Sequence, residues 1–411
     1  MHREEGANRA VEPAVPADPA GASKGKMADI RAYMELHYHE PVTVASLARR
    51  AKLSVNYFIE QFRKTYGQSV LEVLTDLRIN RAKRYLLETG ERMKDIAVKV
   101  GYSDEFYFSR KFKKEVGMTP SEFARTGKRR IAAYSPSVIG HMLALDLLPE
   151  AAPLDPKWSF YYYNGYRNRI KSRLRLTFPY TQGTFEENKE LLIQLRPDAI
   201  IGTEGLHAEE KAVLTAIAPA CFIPAESVGW REQLRHTAKF LDREEAAELW
   251  ITRYEHKVRS ALALMSTALG TDSVIVLRVY GNQLYLYWNR GIGDVLHTDL
   301  QLRPLGEPES RKGTAITPGE LAELDPDRIM LVVCAEAASR AYWLSLQHSA
   351  LWRGLKAVAG GCVYTIQSDP WFEYSPVSIV RMLDDALLLF TGKCPNPYLH
   401  NIHGDSHVPD L

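Results

Sequence analysis

Apolar residues between positions 27 and 127 recur at three- and four-residue spacing: Ile30 and Met34, Leu47 and Ala51, Phe58 and Phe62, then Leu71, Leu74 and Leu77. That period predicts helices with one buried face. Pro41, Gly67, Gly90, Gly101 and Gly117 interrupt it, which divides the segment into about seven short helices. Thr43, Ser54, Ser69, Ser103 and Thr119 stand where N-caps are expected, with Pro120 at a first helical position. From Ile131 the pattern changes. The runs 199–201, 274–277, 329–333 and 363–366 alternate with helical stretches, which is the signature of an α/β body. A long helical stretch over about 230–268, broken near Leu241 and Asp242, separates strand-rich flanks. We expect two α/β lobes, about 131–229 and 270–395, joined by that helix. Residues 1–26 are rich in Ala, Pro and Gly without apolar periodicity and read as a disordered leader; 396–411 read as a polar tail.

The helical segment repeats itself. Tyr57, Phe58, Phe62, Lys64 and Gly67 recur fifty positions later as Tyr107, Phe108, Phe112, Lys114 and Gly117, and Leu47-Ala48 is echoed by Ile96-Ala97. Each unit is a short helix, a tight turn and a longer helix, the helix-turn-helix pattern. The Phe pairs at i, i+4 should pack inward. The other face of the first long helix carries Asn56, Glu60, Arg63 and Lys64; that of the second carries Glu105, Ser109, Arg110, Lys113 and Lys114. A helix with a dry side and a basic, hydrogen-bonding side suits the DNA major groove. Two of them read successive grooves if they stand about 34 Å apart, one DNA turn.

Charge sharpens this reading. The 411 residues carry a net charge of +2, yet residues 27–130 hold 21 basic against 13 acidic side chains, a net +8. Residues 1–26 are balanced, so the remainder is acidic. A basic module on an acidic body fits a nucleic-acid binder with a second task. The N-terminus lacks the apolar core of a secretory signal, and no apolar run is long enough to span a membrane, so a cytoplasmic protein with no membrane partner is expected. The four cysteines are too scattered for a disulfide framework or a Cys-based zinc site.

Residues 27–127 resemble the DNA-binding domain of AraC-family transcription regulators. The likeness is carried by Ile96-Ala97, Gly101 to Asp104, Tyr107 to Lys114 and Gly117 to Phe123. It implies base reading by Asn56, Ile59 and Glu60 in the first unit and by Phe106, Ser109 and Arg110 in the second. Ile59 and Phe106 then offer apolar contacts to thymine methyls, and Arg63, Lys64, Lys113 and Lys114 serve phosphates.

The body holds no Gly-x-Ser-x-Gly elbow, phosphate loop or His-Glu-x-x-His, so a binding role is expected rather than an enzyme. Three groups gather aromatics, two of them with cations: Arg278, Tyr280, Tyr285, Tyr287, Trp288 and Arg290; Trp371, Phe372 and Tyr374; and Tyr161 to Tyr163 with Tyr166, Arg167, Arg169, Lys171, Arg173 and Arg175, of which Tyr163, Arg167, Arg169 and Lys171 are taken as ligand contacts. Such groups suit a flat, aromatic, anionic ligand, although alternate aromatics on strands also form ordinary cross-strand pairs. His400, His403 and His407 could gather a metal, but a polar tail is more often unstructured, and no metal site is assigned.

Residues 131–395 resemble the substrate-binding proteins of bacterial iron-siderophore and cobalamin uptake, through 131–137, 195–201, 217–219, 230–234, 241–246, 321–327, Asp369-Pro370-Trp371 and Ser375-Pro376. The resemblance implies a ligand cleft between the lobes. Joined to an AraC-type domain, the lobes become a sensor. The expected whole is a multidomain chain, with an all-α double helix-turn-helix ahead of a two-lobed α/β fold. It would activate iron-siderophore uptake genes, with DNA and RNA polymerase as partners, a ferric siderophore as effector and no cofactor. Haem, cobalamin or another small molecule as effector, a siderophore-processing enzyme, and a body that only mediates dimerisation are the alternatives.

Overall fold

The computed structural model describes residues 19–126, 129–176, 181–224, 226–305 and 313–392. The His400–His407 motif and Cys394 lie outside them. The chain divides into two compact units, one ending at Leu77 and one beginning at Arg78.

The first unit holds helices α1 (Pro19–His37), α2 (Val44–Arg50), α3 (Val55–Tyr66) and the start of α4 (Val70–Glu88). Thr43 caps α2 reciprocally with Ser46, and Gly67 ends α3 at φ +70°. Met27, Ile30, Met34, Leu47, Phe58, Phe62, Val70 and Leu74 form its core. Helix α1 begins at Pro19, inside the segment read as leader. Proline is favoured in the first helical turn, and composition alone hides the start.

The second unit opens with the rest of α4, followed by α5 (Met93–Lys99), α6 (Glu105–Val116) and α7 (Pro120–Thr126) around Ile79, Leu86, Ile96, Phe108, Phe112 and Phe123. The N-cap of α6 is Asp104, not Ser103: its carboxylate accepts the Tyr107 N–H.

The body follows in the same unit. Strands β1 (Ile131–Ala133), β2 (Ala151–Pro153), β3 (Ser172–Leu174), β4 (Ala199–Thr203) and β5 (Ala220–Ile223) form a parallel sheet in the order β3-β2-β1-β4-β5. Between them run α8 (Pro136–Ala144), α9 (Phe160–Tyr166), α10 (Gln182–Leu195) and α11 (Ala208–Ile217). Helices α12 (Trp230–Leu241) and α13 (Glu244–Leu269) then lead to the second lobe. They part at Asp242, which adopts φ +58°.

The second sheet contains β6 (Ser273–Tyr280), β7 (Gln283–Leu286), β8 (Arg303–Pro304), β9 (Ala315–Ile316), β10 (Arg328–Val333) and β11 (Val363–Thr365). Its order is β11-β10-β6-β7-β9, with β8 beside β6. The β6, β10 and β11 pairings are parallel, and β7 is antiparallel to β6 and β9. A short helix, α14 (Arg290–Ile292), continues into a π-helical turn (Gly293–Asp299), and α15 (Pro318–Leu324), α16 (Ala337–Gln347), α17 (Ala350–Gly354), α18 (Lys356–Ala359) and α19 (Ser368–Trp371) follow in order. The last helix, α20 (Pro376–Thr391), leaves the second lobe and packs against α8 and α13. Met142, Trp230, Tyr254, Leu296, Trp371 and Leu383 thereby share one core that spans both lobes.

Candidate DNA-binding helices and ligand cleft

In α3, Phe58 and Phe62 are fully buried with ring centroids 5.7 Å apart, so the helix seats on its i, i+4 apolar stripe. Asn56, Ile59, Glu60, Arg63 and Lys64 stay exposed on the rest of the helix, together with Val55 and Tyr57. In α6, Phe108 and Phe112 are equally buried, and Phe112 meets Phe123 edge-on at 5.5 Å. Phe106, Arg110, Lys113 and Lys114 are exposed, and Glu105 and Ser109 are half-buried. Phe106 is 74% exposed and its neighbour Tyr107 52%. Tyr57 and Tyr107 occupy the same place in the repeat, and that equivalence was the available signal for both. Among the described residues, Arg63, Lys64, Arg110, Lys113 and Lys114 have no ion-paired carboxylate, which leaves their charge for an external anion; Lys111, by contrast, pairs with Glu115 at 3.0 Å.

In the body, Arg278 lies near the C-terminal end of β6, where parallel strands present ligand-binding groups. Its guanidinium carbon sits 5.1 Å from the Tyr280 ring centroid and 5.4 Å from that of Phe372. Its Nε donates to the Cys334 sulfur at 3.2 Å. Tyr287 lies against Phe372 with centroids 4.5 Å apart. Tyr285 is the register partner of Arg278 across β7, and its hydroxyl donates to Gln283. Strand ends and the loop after α19 therefore bring together Arg278, Tyr280, Tyr287, Phe372 and Cys334. Phe372 belongs to the aromatic group that the sequence already marks with Trp371 and Tyr374, whereas Cys334 comes into view only once β10 is paired with β6.

Three residues expected at the ligand, Trp371, Tyr374 and Arg290, stand elsewhere. The Trp371 ring is wholly buried in the core shared by the lobes and cannot touch a ligand; its carbonyl accepts from the Asn289 amide. Tyr374 and Arg290 form a clasp instead of a binding surface. The Tyr374 hydroxyl accepts the Trp230 N–H at 3.0 Å and donates to Asp294 at 2.6 Å. Arg290 lies over the Tyr374 ring and donates to the Val228 carbonyl. Both side chains are spent in joining the start of α12 to the second lobe.

On the first lobe, Tyr163 lies between the guanidinium groups of Arg167 and Arg173, 5.5 and 5.7 Å from its ring centroid. Neither arginine has an ion-paired carboxylate among the described residues. Lys171 does, pairing with Glu150 at 3.2 Å, and Arg169 is half-buried. The lobes meet next to this group. Tyr162 donates to the Glu373 carboxylate, as does Ser375 at 2.6 Å. Burial pushes the Glu373 carboxyl up to about 7, against the pull of the Ser375 and Tyr162 hydrogen bonds and of Arg381. Gly140 permits the approach: a Cβ there would meet the Ser375 and Tyr162 oxygens at 2.2 and 2.5 Å. Tyr163 and Phe372 thus flank an interlobe contact made by their sequence neighbours. A shallow recess lined by Tyr287 with Val276, Trp288, His297 and Leu305 carries none of these cations. Among the described residues, no group of three His, Cys, Asp or Glu side chains could hold a metal, and no helix is long and apolar enough to cross a membrane.

Comparison with known proteins agrees with both halves. Residues 47–126 match a helix-turn-helix domain family and 131–370 a periplasmic binding protein family. The HTH-type transcriptional activator Btr of Bacillus subtilis is 34% identical over 88% of this chain and 68% of its own length. Among solved structures, the fold is similar to FhuD2 of Staphylococcus aureus with bound ferrioxamine B: TM-score 0.51, 19% identity, 65% of this chain and 99% of that one. It is also similar to the triscatecholate siderophore binding protein FeuA of Bacillus subtilis complexed with ferri-bacillibactin: TM-score 0.50, 20% identity, 64% and 93%. The chain belongs to the AraC-type transcription regulators in which the helix-turn-helix domain is followed by a periplasmic-binding-protein domain.

Proposed function

We propose that this protein is a one-component transcription activator of iron-siderophore uptake genes, acting in the cytoplasm and sensing a ferric siderophore between its lobes. The carrying observation is Arg278. It is a guanidinium at a strand end, flanked by Tyr280 and Phe372 and without an ion-paired carboxylate among the described residues, in a fold shared with siderophore binding proteins. Arg167 and Arg173 around Tyr163 add positive charge on the first lobe. Cations against aromatic faces favour an anionic, aromatic complex, and so a catecholate over a neutral hydroxamate. Preferential binding to one lobe arrangement shifts the population toward it and changes how the helix-turn-helix units meet DNA or polymerase.

The test is tryptophan fluorescence with ferric tricatecholate and ferric hydroxamate siderophores, with iron-free and gallium forms as optical controls. Saturable, class-selective quenching at micromolar concentration or below supports the reading. No saturable response to any metal complex refutes it.

A further inference from the structure

Helix α13 is gripped on two sides within a single turn. On one side, Arg253 Nη2 donates to both the carboxylate and the backbone carbonyl of Glu115, each at 2.9 Å, at the C-terminal end of α6. On the other, the adjacent Tyr254 donates its hydroxyl to Asp299, the last residue of the π-helical turn in the second lobe. Asp299 also accepts from Arg231 of α12 at 3.3 Å.

The seat of α6 on the body is built, not incidental. Gly117 ends α6 at φ +86°, and an added Cβ would meet Glu245 and the Ala246 nitrogen at 3.0–3.2 Å. Arg243, 1% exposed, lies over the Phe123 ring and donates to the Met118 sulfur. Lys83 and Asp146 form an ion pair with both side chains largely buried. Close backbone approach and buried charges joined across two elements fix their mutual position, because removing one partner strands the other.

The far grip leads to the candidate ligand site in few steps. Phe372 faces Arg278; two residues on, Tyr374 bonds Asp294; and Asp294 is the second residue of the turn that Asp299 closes. A π-helical turn is a rare form that recurs at functional sites.

We propose that α13 carries the ligand signal to the second helix-turn-helix unit, with the 293–299 turn as its input and the Arg253–Glu115 contact as its output. This rests on the sensing reading above. Movement of the second lobe displaces the turn, the Tyr254–Asp299 bond passes the shift to α13, and the clamp passes it to α6.

The experiment uses the full chain. Four proteins are compared: wild type, Tyr254→Phe, Arg253→Glu, and Arg253→Glu combined with Glu115→Arg. Fluorescence titration with gallium and ferric tricatecholate gives ligand affinity. Titration with a duplex selected by the wild type from a random pool, with and without that ligand, gives the ligand-dependent change in DNA affinity. Each single variant should keep ligand affinity within about twofold while losing most of that change, and the charge-reversed pair should recover it. Tyr254→Phe keeps the ring and so tests the input even if Arg253→Glu loosens the fold. If the ligand binds all four proteins and shifts DNA affinity equally in each, α13 is not the conduit and the sensing reading stands. If the ligand binds none, wild type included, the sensing reading fails and this inference with it.

Discussion

The Arg278 Nε lies 3.2 Å from the Cys334 sulfur, at the ends of neighbouring parallel strands. A ligand held by Arg278 must therefore cover Cys334. Maleimide labelling read by mass spectrometry should show Cys334 slowing at least about tenfold at saturating ligand, while the half-buried Cys362 labels unchanged. Cys221 serves as a silent control, buried and with its thiol pushed up to about 11 by desolvation. Equal protection of Cys334 and Cys362 would indicate global tightening and remove Cys334 as a marker of the site.

Arg278 at the strand end and Trp371 in the core separate binding from stability. Arg278→Ala removes charge-assisted contacts worth about 1.5–3 kcal/mol, so ligand affinity should fall roughly 10- to 100-fold with little change in melting temperature. Trp371→Ala should act the other way. Emptying a wholly buried indole costs about 3–5 kcal/mol of stability, with no direct loss of ligand contact. Calorimetry and thermal melts on both variants check the assignment, and a stable Trp371→Ala with lost affinity would reverse it.

Much of this was legible beforehand because local periodicity and packing agreed. Phe58/Phe62 and Phe108/Phe112 announce their buried faces by i, i+4 spacing. The β-branched and Leu runs at 274–277 and 329–333 mark strands covered on both faces. The cleft was less legible. Trp371, Phe372 and Tyr374 sit in one irregular stretch, where no period distinguishes the ring that enters the core from the one that faces Arg278. The clamp of Arg253 on Glu115 joins residues 138 apart. Gly117 announced a helix end, but not that its missing Cβ makes room for α13.

The exposed face of α6 makes two kinds of DNA contact that can be told apart. Lys113→Ala with Lys114→Ala should weaken binding to all duplexes alike and reduce the salt slope by about two units, the share of two phosphate contacts. Phe106 should act on sequence. If its exposed ring meets a thymine methyl, replacing that thymine by deoxyuridine in a selected duplex should cost about fourfold, the value of one buried methyl at about 0.8 kcal/mol. Phe106→Ala should abolish this difference. A deoxyuridine scan with no position sensitive to Phe106→Ala would refute thymine reading by this residue.

Glu373 should impose a pH dependence on stability. Its carboxyl rises from an ordinary value of 4.5 to about 7 because burial disfavours the charge; Ser375, Tyr162 and Arg381 oppose the rise, and Asp369 adds to it. Between those values the folded chain keeps a proton that the unfolded chain has released. Stability therefore falls as pH rises through this window, and the loss is complete above about 7. Glu373→Gln cannot ionise, yet its amide oxygen can still accept from Tyr162 and Ser375. Relative to wild type, the variant should gain on the order of 2 kcal/mol between pH 5 and pH 8, read from denaturant melts at the two values. The comparison must be the difference between the two proteins. The buried His141, lowered to about 4, gives the opposite slope below 6.5 in both and cancels. Parallel pH profiles would mean that Glu373 is ionised in the folded chain, and the hydrogen bond from Tyr162 would then join the lobes through a buried charge.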